Sequence, residues 1–260
     1  MIVDHHFLSD KHGGQLAKTM VEYVDWLRSS SPGGKSVKQQ IHLSLRDMLT
    51  WVQFIMGEAS EDGELNARGG PAMSPGQAYV HGAFLVLLDG LGIGHGSLHS
   101  GAAVREVCQE KLREQGFECG GAGAEVIALV NTEAIFGIKP FIIAKGPHPA
   151  VRLDALGYKL DAGTYGMNAM RVLRALQLPR PILLEGPPGV GKSSLVEALA
   201  KASGHKLVRI NLSEQTELSD LMGNDLPVSG GGAGEFEWRD GVSASLSNRQ
   251  TWTAAPTWWP

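Results

Sequence analysis

Cysteine is scarce in this chain: two among 260 residues, Cys108 and Cys119. Two thiols cannot build the multi-bridge framework of a small secreted domain, their spacing matches no zinc pattern, and they fit a reducing compartment. Charge is sparse as well, at 19% of residues, where about a quarter is usual. Neither sign dominates, since 23 Lys and Arg face 27 Asp and Glu for a net charge of −4. Without a basic excess the chain lacks the electrostatic footprint of a dedicated nucleic-acid binder, and no sequence-specific nucleic-acid contact is expected. Long apolar runs are missing. The longest, Ala83 to Leu88, falls far short of the roughly 20 residues that cross a bilayer, so no membrane partner is expected. The amino terminus, Met1-Ile2-Val3-Asp4-His5-His6, has neither the basic stretch nor the apolar run of a signal peptide.

Glycine, by contrast, is abundant. Its 34 residues are nearly twice the usual share of about 7%, which predicts a loop-rich chain. Apolar periodicity predicts helices over 15–28, from Ser44 through Met56, over 77–89 and over 102–115. Ser44 is placed to cap the second of these, with Asp47 in its first turn. Cys108 shares an apolar helical face with Val104, Val107 and Leu112 and is expected in the core. Residues 1–115 therefore read as mostly helical. Residues 116–166 read as short strands (Glu125–Val130 and Phe141–Ala144) followed by a Gly- and Pro-rich linker. From Asn168 a helix runs to Leu176 and stops at Pro179; then come a strand at Ile182–Leu184, a helix at Ser193–Ala202 and a strand at Leu207–Leu212. That order opens an α/β unit. Residues 242–260 hold no acid and no recognisable period and are expected to be disordered. Other features carry blander expectations. His95 and His99 stand four apart, but Gly94 and Gly96 argue for a loop rather than a metal pair, and His5-His6 reads as a surface pair. Phe236 and Trp238 are expected in core or turn packing, and 229–234 in a flexible loop.

One motif carries chemistry. Gly186-Pro187-Pro188-Gly189-Val190-Gly191-Lys192-Ser193 fits G-x-x-x-x-G-K-[ST] completely, between an apolar stretch and an amphipathic one. Glycines let the backbone curl so that successive N–H groups point at phosphate oxygens. The helix that follows adds its positive end. Lys192 supplies a compact point charge for the β- and γ-phosphates, the Ser193 hydroxyl is a hard oxygen ligand for Mg²⁺, and Ser194 continues the first turn. Hydrolysis needs more: a carboxylate to complete the Mg²⁺ shell and one to orient water, at the end of a further strand. The acids after Lys192 are Glu197, Glu214, Glu217, Asp220, Asp225, Glu235, Glu237 and Asp240, and none follows four or more aliphatic residues. The sequence therefore offers no Walker B strand.

Several longer words resemble one family. Asn168-Ala169-Met170-Arg171-Val172-Leu173-Arg174-Ala175 before the loop, the loop itself from Glu185 to Leu195, and Arg209-Ile210-Asn211-Leu212-Ser213-Glu214-Gln215-Thr216-Glu217-Leu218 after it are similar to the midasin family of dynein-like AAA+ ATPases. Gly223-Asn224-Asp225-Leu226-Pro227-Val228 and Phe236-Glu237-Trp238-Arg239-Asp240-Gly241 continue the likeness. More loosely, Ser44-Leu45-Arg46-Asp47-Met48-Leu49-Thr50-Trp51, Tyr79-Val80-His81-Gly82-Ala83 and Leu88-Asp89-Gly90-Leu91-Gly92 resemble that family's lid region.

The resemblance implies an α/β P-loop NTPase (AAA+) partial core over 167–241, preceded by a helical lid-like region over 1–115. It implies ATP and Mg²⁺ as cofactors. Gly186, Pro187, Pro188, Gly189, Val190, Gly191, Lys192, Ser193 and Ser194 would hold the nucleotide, and Arg46 would match a sensor-2 arginine. In AAA+ modules the lid follows its own phosphate loop, yet Arg46 precedes Lys192. The implied reading is a segment across the junction of two consecutive modules, with Arg46 serving the preceding one. The family further implies ATP-driven removal of assembly factors from large-subunit ribosomal precursors in the nucleolus and nucleoplasm, with neighbouring AAA+ modules as partners. In the family the Trp-Arg-Asp-Gly word leads through a helix into a strand with an Asp-Glu pair. Residues 242–260 depart from that pattern, as a truncated gene model or an altered reading frame would, which predicts a hydrolysis-deficient chain. The other classes the residues admit are a non-hydrolysing nucleotide-binding or interaction module and a P-loop small-molecule kinase. Against the kinase, some 180 residues precede the loop and no arginine-rich lid follows it.

Overall fold

The computed structural model describes residues 13–29, 43–60, 66, 72–91, 98–119, 127–161, 163–227, 236–241 and 251–254. The readings of His5-His6, His95, residues 120–126, 229–234 and most of 242–260 lie outside them. The chain divides into two compact units, one of residues 1–143 with 159–192, the other of 144–158 with 193–260. Among the described residues no helix is long and apolar enough to cross a membrane.

The first unit is built on helices α1 (Gly13–Ser29), α2 (Leu45–Glu58), α3 (Pro75–Ala83) and α4 (Leu98–Glu114). α2 starts where the sequence reading placed it, and α3 starts two residues before the predicted 77. Ser44 and Asp47 form a reciprocal capping box, and Ser74 with Gln77 forms another ahead of Pro75 at the first helical position. The helix expected over 77–89 is not α-helical throughout. After Ala83 the chain widens into a π-helical turn, Phe84–Leu88, closed by Asp89 N–H donating to the Phe84 carbonyl at 2.8 Å. Apolar spacing alone does not separate the two helix types over five residues.

The core of this unit is aromatic. Trp51 on α2 is fully buried, donates from Nε1 to the Tyr79 carbonyl (2.8 Å), and meets Tyr79 at 4.7 Å and Tyr23 at 5.9 Å between ring centroids. α2 and α3 approach so closely that a Cβ on Gly82 would lie 2.3 Å from Trp51 Cδ1, so no other residue fits there without displacing the indole. Tyr79 stacks in turn on Phe117, and Phe54 leans on Phe141. α1 joins α4 through Tyr23 Oη donating to the Cys108 carbonyl at 3.0 Å and Gln115 Nε2 donating to the Thr19 carbonyl at 3.0 Å. Cys108 is buried as expected, and burial pushes its thiol up to about 11, which leaves it an inert core residue.

His81 is buried edge-on to Phe141 at 5.0 Å. Burial, and then the positive Arg174, lower its pKa from 6.5 to about 3. Between those values the unfolded chain binds the proton and the folded one does not, so stability is full above pH 6.5 and falls as pH drops through this window. About 2 kcal/mol should be lost by pH 5. Urea unfolding across this range should show that slope in the wild type and a flatter one in His81→Leu; parallel curves would refute the assignment.

Strands β1 (Leu129–Asn131), β2 (Ile135–Ile138) and β3 (Phe141–Ala144) form a three-stranded sheet in that order, with β1 antiparallel to β2. Helix α5 (Gly163–Ala175) belongs to the same unit and begins five residues before the predicted start at Asn168. Its Arg174 is completely buried, donating from Nη1 to Asp89 Oδ2 at 2.8 Å and lying over the rings of Phe84 (5.3 Å) and Phe141 (5.4 Å). Arg171, one turn earlier, reaches the other Asp89 oxygen at 3.3 Å. Gln177 Nε2 then donates to the Ile142 carbonyl, which seals the end of α5 against β3.

In the second unit, helix α6 (Lys192–Ser203) buries Leu195, Ala198, Leu199, Ala200 and Ala202. Gly204 at φ +69° ends it, with His205 N–H donating back to the Ala200 carbonyl at 2.9 Å. The segment 146–151 accounts for further helix-end carbonyls: Gly146, His148 and Val151 donate to Ser203, Gly204 and Lys201. Strand β4 (Lys206–Arg209) is shorter than the predicted 207–212 and pairs in parallel with β7 (Thr251–Ala254). These four residues of the tail are thus in a strand, where the sequence shows no period. The short helix α7 (Leu218–Met222) leads into an antiparallel pair, β5 (Gly223–Pro227) with β6 (Phe236–Asp240).

Two expectations need correction. Residues 182–184 belong to no sheet among the described residues, and Leu183 is 68% exposed. An apolar triplet becomes a strand only when a neighbouring backbone completes its ladder, and none does here. Phe236 and Trp238 are exposed, at 63% and 56%. Alternation puts both on one face of β6, where Trp238 lies close to Gly223 with its Nε1 donating to Asp240 Oδ1 at 2.8 Å.

Candidate functional site

The phosphate-loop residues form a turn between the irregular segment 181–185 and the start of α6. Gly186, Gly189 and Gly191 lie at φ +155°, +81° and +86°, a backbone course that side-chain-bearing residues resist. Nothing lies within 4 Å of where a Cβ on Gly189 would stand, so that glycine serves the backbone course rather than close packing. Pro187, Pro188 and Val190 are exposed on the curl, as are Ser193 and Ser194 in the first turn of α6. That turn contains no acidic residue, so nothing there opposes the positive end of the twelve-residue helix.

Lys192 folds back over the loop. Its Nζ donates to the carbonyls of Gly186 and Pro187, the latter at 2.9 Å. The ammonium therefore sits within the curl, held by its own backbone. Three elements suited to a polyphosphate follow one another in this short stretch: a glycine-shaped backbone, a helix start free of acids, and a cation held by the loop's own carbonyls. The residues fit a nucleotide phosphate chain, with the Ser193 hydroxyl available to a divalent ion. Among the described residues no group of three or more His, Cys, Asp or Glu forms a separate metal site.

Arg46 is elsewhere. It is exposed on the first turn of α2 and makes no hydrogen bond or ion pair with any residue of the loop. What approaches α2 instead is Arg180, which sequence reading passed over. Its Nη1 donates to Thr50 Oγ1 and its Nη2 to Gln53 Oε1, both at 2.7 Å. The signal was present, for Arg180 is held between Pro179 and Pro181, which restrict its backbone. Arg174 and Asp89 were also missed as partners, and no local pattern announces an ion pair 85 residues apart.

Comparison with known proteins agrees with this geometry. Residues 182–235 match the family model described as ATPase family associated with various cellular activities (AAA). The chain is 39% identical over 272 aligned positions to midasin of Dictyostelium discoideum, covering 96% of this chain, and 36% identical over 222 positions to midasin of Giardia intestinalis, covering 77%. It spans only 4% of the length of each of these relatives. A shorter likeness, 38% over 82 positions, joins it to Lon protease 1 of Bacillus subtilis, covering 28% of this chain and 11% of that protein. The Lon likeness is confined to a part of the chain, whereas the midasin likeness runs through both units, and with the phosphate-loop words and the partial α/β core it shows that the chain belongs to the midasin family of AAA+ ATPases.

Proposed function

We propose that this chain is an ATP-binding segment of a midasin-type machine, lying across the junction of two consecutive AAA+ modules. The observation that carries the reading is the glycine curl at 186–191 with the Lys192 ammonium held inside it. Gly186, Gly189 and Gly191 shape the cradle, and Pro187, Pro188 and Val190 form its outer wall. Lys192 moves from its own carbonyls to the β- and γ-phosphates, and Ser193 and Ser194 present the helix start. A bound Mg²⁺ would neutralise phosphate charge and take the Ser193 hydroxyl as a ligand. Arg46, on α2, serves the site of the preceding module. The parent machine acts in assembly and nuclear export of the large ribosomal subunit, removing assembly factors from its precursors, with nuclear location and neighbouring AAA+ modules as partners. The family resemblance and the midasin likeness support those wider assignments.

The same reading makes this chain a holder of ATP rather than a turnover engine. In-line attack needs a water positioned by a carboxylate. None of the acids after Lys192 follows four or more aliphatic residues, and Asp240 Oδ1 accepts from Trp238 Nε1. Arginine fingers contribute roughly 10³–10⁵ in rate in related P-loop enzymes, and the isolated segment is assayed without the neighbouring modules that would supply one. Phosphate release by the purified 260-residue chain with Mg²⁺ and ATP should therefore not exceed that of Lys192→Ala. Robust release that disappears in the variant would overturn the hydrolysis-deficient reading.

A further inference from the structure

We propose that Arg180 is a coupling residue that ties the phosphate loop to the helix carrying Arg46, so that filling this nucleotide site acts on the arginine assigned to the preceding one. The inference rests on the phosphate-loop reading above and adds a regulatory link to it.

The connections form a continuous relay within the first unit. Thr50 Oγ1 donates to the Arg46 carbonyl at 2.7 Å, one helical turn back on α2. Arg180 Nη1 donates to that same Thr50 oxygen, and Arg180 Nη2 to Gln53 Oε1, three residues further along the helix. The guanidinium fork thus bridges two acceptors on one face of α2, a geometry a lysine cannot reproduce. From Arg180 only residues 181–185 separate the clamp from Gly186. That stretch lies in no helix and, among the described residues, in no sheet, so no ladder holds it against displacement.

The other end of the segment is fixed. α5 is locked by Arg174 and Arg171 on Asp89 and by Gln177 on the Ile142 carbonyl. Any rearrangement of the loop is therefore taken up between Leu178 and Gly191, where Arg180 is the side chain that reaches α2. Such a rearrangement is built into the unliganded loop. Lys192 Nζ is engaged by the Gly186 and Pro187 carbonyls and must leave them to meet phosphate, which frees the first two residues of the curl to move. Nucleotide binding thus alters the tension at Arg180, and the relay delivers it to Thr50 and the backbone of Arg46.

Hydrogen exchange on the full chain, with and without saturating ATPγS and Mg²⁺, tests this. In the wild type, nucleotide should slow exchange of the α2 amides around Thr50–Phe54 by about fivefold or more, the lower end of typical coupling between sites. In Arg180→Ala the slowing should vanish while ATPγS still binds, and Arg180→Lys should restore it only in part. A residue that merely stabilised the fold would shift exchange equally with and without nucleotide. Identical nucleotide-dependent slowing in Arg180→Ala, or wild-type binding with no change in α2, would overturn the coupling alone. No wild-type binding at all would overturn the phosphate-loop reading, and the coupling with it.

Discussion

Asp89→Ala should cost the first unit about 3–5 kcal/mol, lowering its melting temperature by on the order of 10 °C. The reason is the asymmetry of buried charge. With Asp89 present, the fully buried Arg174 guanidinium donates to a carboxylate at 2.8 Å, and Arg171 shares that carboxylate. Removing the acid leaves two guanidinium groups side by side, one of them wholly desolvated. Burial lowers the Arg174 pKa, and Asp89 offsets part of that effect. The faces of Phe84 and Phe141 recover part of the loss, each a cation–π contact worth about 0.5–2 kcal/mol. Replacing both members, Asp89→Ala with Arg174→Met, should recover much of the stability, because an apolar side chain at that site has no desolvation to offset. Thermal unfolding followed by near-ultraviolet circular dichroism, which reports the surrounding aromatic cluster, checks the order wild type, double variant, single variant. A single variant as stable as the wild type would mean that the pair is solvated and does not lock α5.

Lys192→Ala should have the largest functional effect. Charged hydrogen bonds contribute about 1.5–3 kcal/mol each, and the ammonium is assigned to both the β- and γ-phosphates. Losing it should weaken ATP binding by on the order of 10²–10⁴. The fold should survive, since in the unliganded chain Lys192 donates to loop carbonyls that are exposed at Pro187 and half-buried at Gly186, within reach of water. Unchanged melting with lost binding separates a site defect from unfolding. Lys192→Arg should not rescue, because a planar fork cannot replace a compact charge inside the curl.

The sequence was legible where structure is decided locally. Ser44 and Asp47 announce their capping box because both partners lie within one turn. Gly186, Gly189 and Gly191 announce a curl because few other residues follow that backbone. Legibility failed where a partner distant in sequence decides. Ile182–Leu184 has strand composition, but a strand needs a neighbour, and none pairs with it. Phe236 and Trp238 alternate correctly for one face of β6, yet alternation cannot say whether anything covers that face. The π-helical turn after Ala83 differs from an α-helix by one residue per hydrogen-bonded ring, beneath the resolution of apolar spacing. The site shows the same division. Its loop is a local word, whereas the Asp89 lock on α5 and the Arg180 clamp on α2 exist only after folding brings 89 to 174 and 50 to 180.

The central claim is that residues 186–194 hold the phosphates of ATP through Lys192. Isothermal titration of ATP with Mg²⁺ into the intact chain and into Lys192→Ala tests it most directly. Saturable one-site binding by the wild type, absent from a variant that melts at the same temperature, is the predicted result. Equal affinity in the two proteins would contradict it.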